Sequence, residues 1–209
     1  MGYGFLDIAA TPSVKAAQAA NGAAAAWADF AGHREFDRFG ENEVQFIESR
    51  DSFYMATVSE TGWPYVQHRG GPPGFLRVLD PKTAAFPDFR GNRQYISLGN
   101  LSVNDRAALI LMDYPSRHRL KMFAHVEAVD LKTDPDLAAK LALPQYKAKV
   151  ERAFKLHLET FDWNCPQHIT PRFSETELQS ALGPVRRRMD QLEAENASLR
   201  EKIAALEKR

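Results

Sequence analysis

The chain has 209 residues, 44% hydrophobic and 26% charged, enough for one domain-sized core with appendages or for two small domains. Lys and Arg number 27 and Asp and Glu number 27, and this balance argues against bulk electrostatic binding to nucleic acid or to an anionic membrane. The single cysteine, Cys165, excludes an internal disulfide and points to a reducing compartment, no apolar run approaches the roughly 18–20 residues that span a bilayer, and the N-terminal stretch does not read as a secretory signal, so a cytoplasmic protein is expected.

Residues 1–40 read as a helical extension. Its Ala-rich part, SVKAAQAANGAAAAWADFA (13–31), predicts a helix with Gly22 as its weak point. Asn42 is placed to cap a short helix over ENEVQFIESR, with Val44, Phe46 and Ile47 facing inward. The character then changes. FYMATVS, PYVQHRG, GFLRVLD, TAAFPDF, RAALILMDY and RLKMFAHVEAVDL read as six strands, with SETGW as a hairpin turn. GNRQYISLGNLSVN (91–104) is the one helix among them. Short antiparallel strands at this density predict a small closed or partly closed barrel.

After Asp134 the pattern predicts helices over PDLAAKLAL and YKAKVERAFKLHLETF, a helical insertion spanning 134–160. WNCPQHITPRF, with its two prolines, predicts an extended loop or strand. A short helix over 174–182 is expected to end at Gly183-Pro184. Beyond it the apolar spacing alternates four and three. Met189, Asn196 and Ile203 take heptad position a, and Val185, Leu192, Leu199 and Leu206 take d. The g and following e residues are Arg188 and Glu193, Glu195 and Arg200, Lys202 and Glu207, each pair of opposite sign, as in a short parallel two-stranded coil that joins a homodimer. The alternative is a single amphipathic helix lying on the body of the protein.

No nucleophile motif and no HExxH or CxxC pair is present. Cys165 and His168 supply two ligands where a structural zinc needs four, so no metal is expected, and His33, His68, His118, His125 and His157 are scattered. What stands out is cationic and glycine-rich: HRGGPPGF (68–75), FPDFRGNR (86–93), SLGN (97–100), RLK (119–121) and the stretch from Trp163 to Arg172. Arginines beside the free N–H groups of a helix N-terminus suit a dianionic phosphate. Gly70 and Gly71 would admit a flat ring close to the backbone, and Trp163 offers an aromatic wall.

GWPYVQHRGGPPGFLRVLD, FPDFRGNRQYISLGNLSVNDRAALIL, RLKMFAHVEA and WNCPQHITPRF, in that order, resemble the pyridoxamine 5′-phosphate oxidase-like family of FMN-binding split barrels, and within it the branch of FMN-dependent or flavin-nucleotide-binding proteins. The resemblance covers residues 43–173. It implies an α+β fold: an antiparallel six-stranded split β-barrel with flanking helices (41–173); the heptad pattern adds C-terminal helices with a coiled coil (174–209). The resemblance also implies FMN at a homodimer interface. His68, Arg69, Gly70 and Gly71 match the segment that contacts the flavin ring and ribityl chain. Phe86 and Pro87 match an aromatic–hydroxyl pair, here without the hydroxyl. Asn92 and Arg93 match two phosphate-binding cations, one of them now an amide, and Arg90 compensates. Ser97 and Asn100 match further phosphate or ribityl contacts. Arg119 matches a residue that reaches the flavin of the opposite subunit, and Trp163 and Arg172 match a Trp and an Arg near the flavin.

Pro72-Pro73-Gly74 stands where the oxidase carries a substrate-gripping lysine, which argues against vitamin B6 oxidation. The resemblance therefore implies an FMN-dependent oxidoreductase acting on another small molecule. A flavin carrier or sensor without turnover, and a flavin-less dimeric interaction module, are the alternatives. GNRQYISLGN becomes the phosphate clamp, with Tyr95, Ile96 and Leu98 anchoring its helix, unless it is only a surface helix with a glycine cap.

Overall fold

The computed structural model describes residues 4–28, 36–164 and 166–207. Cys165 and His33 lie outside the described residues, as do the last residues of the expected 13–31 helix. Two units are distinguished, one of residues 1–113 and 117–168, the other of residues 114–116 and 169–209.

The first unit opens with three short helices, α1 (Phe5–Ala9), α2 (Pro12–Ala20) and α3 (Ala24–Ala28). Gly22, at φ 69°, separates α2 from α3; the weak point is a break. Phe5 of α1 stacks on Phe123 at 4.4 Å between ring centroids. Helix α4 (Glu41–Glu48) is capped two residues earlier than its sequence suggests. Gly40, not Asn42, is the N-cap, and the Glu43 carboxylate accepts from its backbone N–H at 3.0 Å. Ile47 is fully buried, while Val44 and Phe46 are half-buried against the core.

Seven strands follow, not six. They are β1 (Ser52–Val58), β2 (Pro64–Gly70), β3 (Arg77–Asp80), β4 (Thr83–Phe89), β5 (Arg106–Asp113), β6 (His118–Val129) and β7 (Val150–Asn164), with α5 (Ile96–Val103) between β4 and β5 and α6 (Pro135–Lys140) between β6 and β7. The extra strand is β7, in the segment expected to be helical. Its residues 154–159, FKLHLE, alternate apolar and polar, and Phe154, Leu156 and Leu158 are buried while Lys155, His157 and Glu159 are not. Two-residue periodicity outweighed the helical propensity of its Lys, Ala, Leu and Glu. Of the predicted helical insertion only α6 forms.

The strands make one antiparallel sheet in the order β2-β1-β5-β6-β7-β4-β3. Strand β7 pairs with β6 on one side and β4 on the other. The sheet is open by hydrogen bonding, with β2 and β3 as its edges, yet it curls around a core. Phe53 of β1 meets Phe86 of β4 edge-on at 5.1 Å, although three strands separate them in the order. Phe75, Leu111, Leu120, Met122 and Phe154 complete this core and are essentially unexposed. This is the α+β, split-barrel type of arrangement.

In the second unit α7 runs unbroken from Glu175 to Glu207 with Pro184 inside it. The expected break at Gly183-Pro184 is absent. A proline removes one backbone hydrogen bond and crowds one carbonyl, and a helix of 33 residues carries that cost on the turns to either side. Among the described residues no helix is long and apolar enough to cross a membrane.

Candidate functional site

The ends of the curled sheet meet at a cleft. Tyr65, Gln67 and Arg69 enter it from β2, Asp88 and Phe89 from β4, Glu151 and Phe154 from β7, and residues 91–98 form its rim. Alternation along β2 puts 65, 67 and 69 on this face. The rim is ordered locally: Asn92 Oδ1 accepts from the Gln94 N–H at 3.1 Å, and Asn92 Nδ2 donates to Gln94 Oε1 at 3.1 Å. Arg93 and Tyr95 adopt left-handed backbone conformations, φ 64° and 53°, which non-glycine residues adopt only where surroundings impose them. Tyr95 is the N-cap of α5, so the first-turn N–H groups of Ile96, Ser97 and Leu98, lacking intrahelical acceptors, lie at the cleft.

Charge is concentrated here. Arg69 Nη1 donates to Asp88 Oδ1 at 2.8 Å, and Arg152 Nη1 is 3.9 Å from Asp88 Oδ2. Arg90 Nε donates to Glu151 Oε1 at 2.7 Å, as Tyr95 Oη does at 3.3 Å. The Arg152 guanidinium lies over the Tyr95 ring at 5.2 Å. Burial pushes the Asp88 carboxyl above its ordinary value despite the pull of Arg69 and Arg152, and burial lowers the Arg69 guanidinium. The hydrogen bond from Arg90 holds Glu151 below the usual carboxylate range. Arg93 is exposed and has no ion pair among the described residues. Four guanidinium groups against two carboxylates leave two positive charges, the complement of a phosphate dianion. Arg69 Nε and Arg152 Nη1 are buried without a hydrogen-bond acceptor. These atoms are sealed from the cleft; the donors open to it are Arg93 and the first-turn amides of α5, a set that fits a phosphate group. The inner part of the cleft holds about 50 Å³, room for such a group.

Of the residues expected to form a site, Arg69, Asn92, Arg93 and Ser97 come together in this cleft, with Arg90 beside them through Glu151. Ser97 Oγ donates to Gln67 Oε1 at 3.3 Å. The others lie elsewhere. His68 faces the opposite side of β2, edge-on to Tyr54 at 5.5 Å. A Cβ on Gly70 would come within 2.9 Å of the His68 ring, and one on Gly71 within 2.7 Å of Phe75; packing inside the chain already requires glycine at 71. Phe86 is core, and Pro87 is buried on β4 just past the stretch paired with β3, where no ladder donor is required. Asn100 is buried and donates to Thr57 Oγ1 at 3.0 Å, tying α5 to β1. The anchors of α5 are Ser97, Asn100 and Leu101 with half-buried Leu98, whereas Tyr95 and Ile96 are exposed. Trp163 donates from Nε1 to Glu43 Oε1 at 2.8 Å and meets Phe46 edge-on at 4.7 Å. Arg119 pairs in register with Asn164, at the far end of β7 from Arg152; that is roughly 35–40 Å along the strand. Its Nε is also buried without an acceptor. Arg172 belongs to the second unit, where its guanidinium lies over the Tyr114 ring at 5.1 Å.

Asp88, Glu151, Arg152 and Gln67 are site residues that sequence reasoning missed. Asp88 left a signal: a lone carboxylate inside the apolar run TAAFPDF needs a charged partner. Glu151 and Arg152 were hidden by the helical reading of their segment. Among the described residues no cluster of three or more His, Cys, Asp or Glu could hold a metal ion.

Comparison with known proteins bears on this arrangement. The model of the pyridoxamine 5′-phosphate oxidase family matches residues 39–163, more than half of the chain, from β1 to all but the last residue of β7. No curated protein sequence matches significantly. Similar solved structures include a candidate pyridoxamine 5′-phosphate oxidase from Lactobacillus delbrueckii, 23% identical over 60% of this chain and 94% of that one, with a TM-score of 0.46. HupZ from Group A Streptococcus is 14% identical over 65% of this chain and 100% of its own, TM-score 0.46. An FMN-binding protein from Syntrophomonas wolfei is 10% identical over 58% and 86%, TM-score 0.43.

Proposed function

Because the chain belongs to the pyridoxamine 5′-phosphate oxidase family, we propose that it binds FMN at a homodimer interface and acts as an FMN-dependent oxidoreductase on a small molecule in the cytoplasm. The observation that carries this reading is exposed Arg93 beside the N-terminus of α5, both lining the cleft. In this reading Arg93, Arg69 and the α5 amides hold the phosphate, while Asn92 and Ser97 orient it. When bound, the flavin supplies hydride and electron transfer at its ring system.

Two features support a site shared between subunits. The cleft is open on one side, and a further acceptor-less arginine, Arg119 with nearby Trp163, lies at the opposite end of β7. One subunit cannot bring both ends to one flavin; a second copy brings its Arg119 to the first copy's cleft. The outer face of β1 and β2 is apolar and open, with Tyr54 39%, Val58 39% and Val66 61% exposed, and the second copy covers it. His68, Gly70 and Gly71 then contribute from the strand end beside that seam, and α7, with Arg172 preceding it, reinforces the dimer.

A second reading, a flavin carrier or sensor without turnover, is favoured by one observation. Among the described residues the cleft is lined by no His or Cys, and its carboxylates Asp88 and Glu151 are held by arginines. Titrating FMN into the purified full-length protein tests the main reading: a visible flavin band and quenched flavin fluorescence at one equivalent per subunit are expected. A protein that stays colourless in excess FMN defeats both readings. Bleaching by NADH or NADPH with reoxidation in air selects the enzyme, and a bound flavin that no reductant reaches selects the carrier.

A further inference from the structure

Helix α7 presents an apolar stripe to solvent. Leu178, Leu182, Val185, Met189, Leu192, Leu199, Ile203 and Leu206 are between 44% and 67% exposed, and no residue of α7 is buried. A helix of 33 residues with a continuous uncovered apolar face is marginal in water. The spacing predicts a seam that begins at Val185, because Gly183-Pro184 reads as a break. The unbroken helix removes that limit. Leu182 falls at a and Leu178 at d in the same frame, one heptad upstream. Gly183 and Pro184 take positions b and c, on the face away from the seam, so the hydrogen bond that the proline removes is not at the contact.

We propose that α7 pairs with α7 of a second copy of this chain as a parallel, in-register, two-stranded coiled coil over about four heptads, from Leu178 to Leu206. Charge complementarity selects this occupant and this direction. In the parallel arrangement g meets the following e of the other chain, giving Arg188 with Glu193, Glu195 with Arg200 and Lys202 with Glu207, all attractive. An antiparallel pair that sets Asn196 against Leu199 brings g against g and e against e. Arg188 would then face Lys202, Glu193 would face Glu207, and Glu195 and Arg200 would each face themselves, all repulsive. Asn196 at a also meets its own copy only in the parallel, in-register pair, where two amides satisfy each other. The proposal extends the two-subunit part of the reading above and requires no flavin.

The test uses the full chain with Cys165→Ser as background. Leu206→Cys, placed at d, forms an intersubunit disulfide in a glutathione redox buffer at least roughly tenfold more than Ala194→Cys, placed at f on the outer face, because only d–d′ brings the Cβ atoms within bonding range. Adding Glu195→Arg lowers that yield several-fold, and adding Arg200→Glu to it restores the yield. Equal yields at 206 and 194 overturn the proposal. So does a mixture of Leu206→Cys and Met189→Cys chains that gives mainly the 206–189 disulfide, the antiparallel product. Flavin content is read by absorbance on the same samples: bound FMN without the disulfide defeats the coil alone, and the disulfide without FMN defeats the flavin reading alone.

Discussion

Arg69 of β2 and Asp88 of β4 are 2.8 Å apart, although five places separate their strands in the sheet order. Backbone hydrogen bonds do not close this barrel; a nearly buried ion pair joins edge strand β2 to β4, the strand next to the other edge. Both side chains are almost out of water, 13% and 9% exposed, and burial works against the charge of each. The pair is held by its geometry and by the Phe86 and Phe154 rings beneath the guanidinium.

Breaking this pair on one side should be far worse than removing both charges. Asp88→Asn leaves Arg69 buried and uncompensated and should cost about 3–5 kcal/mol, read as a lowered urea midpoint at unchanged slope. The double variant Arg69→Met/Asp88→Leu should lose less than either single change. A double variant as unstable as Asp88→Asn would show that the sheet ends need charge rather than filled volume.

Arg93 offers a cleaner test of the phosphate assignment, because it is exposed and holds no ion pair. Arg93→Ala should leave thermal stability within about 0.5 kcal/mol and weaken FMN binding by roughly 1.5–3 kcal/mol, the worth of a charged hydrogen bond. A thermal melt reads the first arm and isothermal titration the second. An unchanged dissociation constant removes Arg93 from the site.

Gly71→Ala should destabilise the fold by about 1–3 kcal/mol, since the added methyl would sit 2.7 Å from Phe75 Cγ and Phe75 is 1% exposed. Phe75→Leu in the same chain should recover part of the loss. Denaturation midpoints of the two variants decide whether glycine is there for internal packing.

Acid should destabilise the protein. The hydrogen bond from Lys82 lowers the Asp37 pKa, the Leu137 N–H lowers that of Asp134, and Arg90 lowers that of Glu151. Each therefore stays charged to lower pH when folded than when unfolded. Their contribution is complete above the unfolded values of 3.8 for Asp and 4.5 for Glu, and it is lost as pH falls through the lower folded values. Asp88 acts in the opposite sense: its raised pKa costs stability as pH rises above 3.8 and returns it in acid. Three groups against one predict a melting temperature that falls between about pH 5 and about pH 3, with a shallower fall in Asp37→Asn. A melting temperature that rises over that interval would mean that Asp88 dominates.

The barrel was legible wherever one face of a strand is buried and the next residue is not. FYMATVS, PYVQHRG and RLKMFAHVEA alternate, and they became β1, β2 and most of β6. Segment 91–100 drew notice because glycine, asparagine and arginine next to a helix start suit an anion, and its residues 91–98 line the cleft. FKLHLE alternates just as plainly, but it lies in a stretch rich in helix-forming residues, and only pairing with β4 and β6 resolves that conflict. The opposite error at Gly183-Pro184 has the same root. Local propensity measures a cost per residue, and what surrounds the residue decides whether that cost is met.

Periodicity is a local property, so the chain alone announced a strand-rich body, a cationic glycine-bearing segment before a helix and a heptad pattern in the tail. Which residues from distant strands share a cleft depends on how far the sheet curls. Folding alone put Arg69 against Asp88, turned His68 away from both, and sent Arg119 to the far end of β7, because side chains alternate along every strand while the sheet carries its two ends back to meet each other.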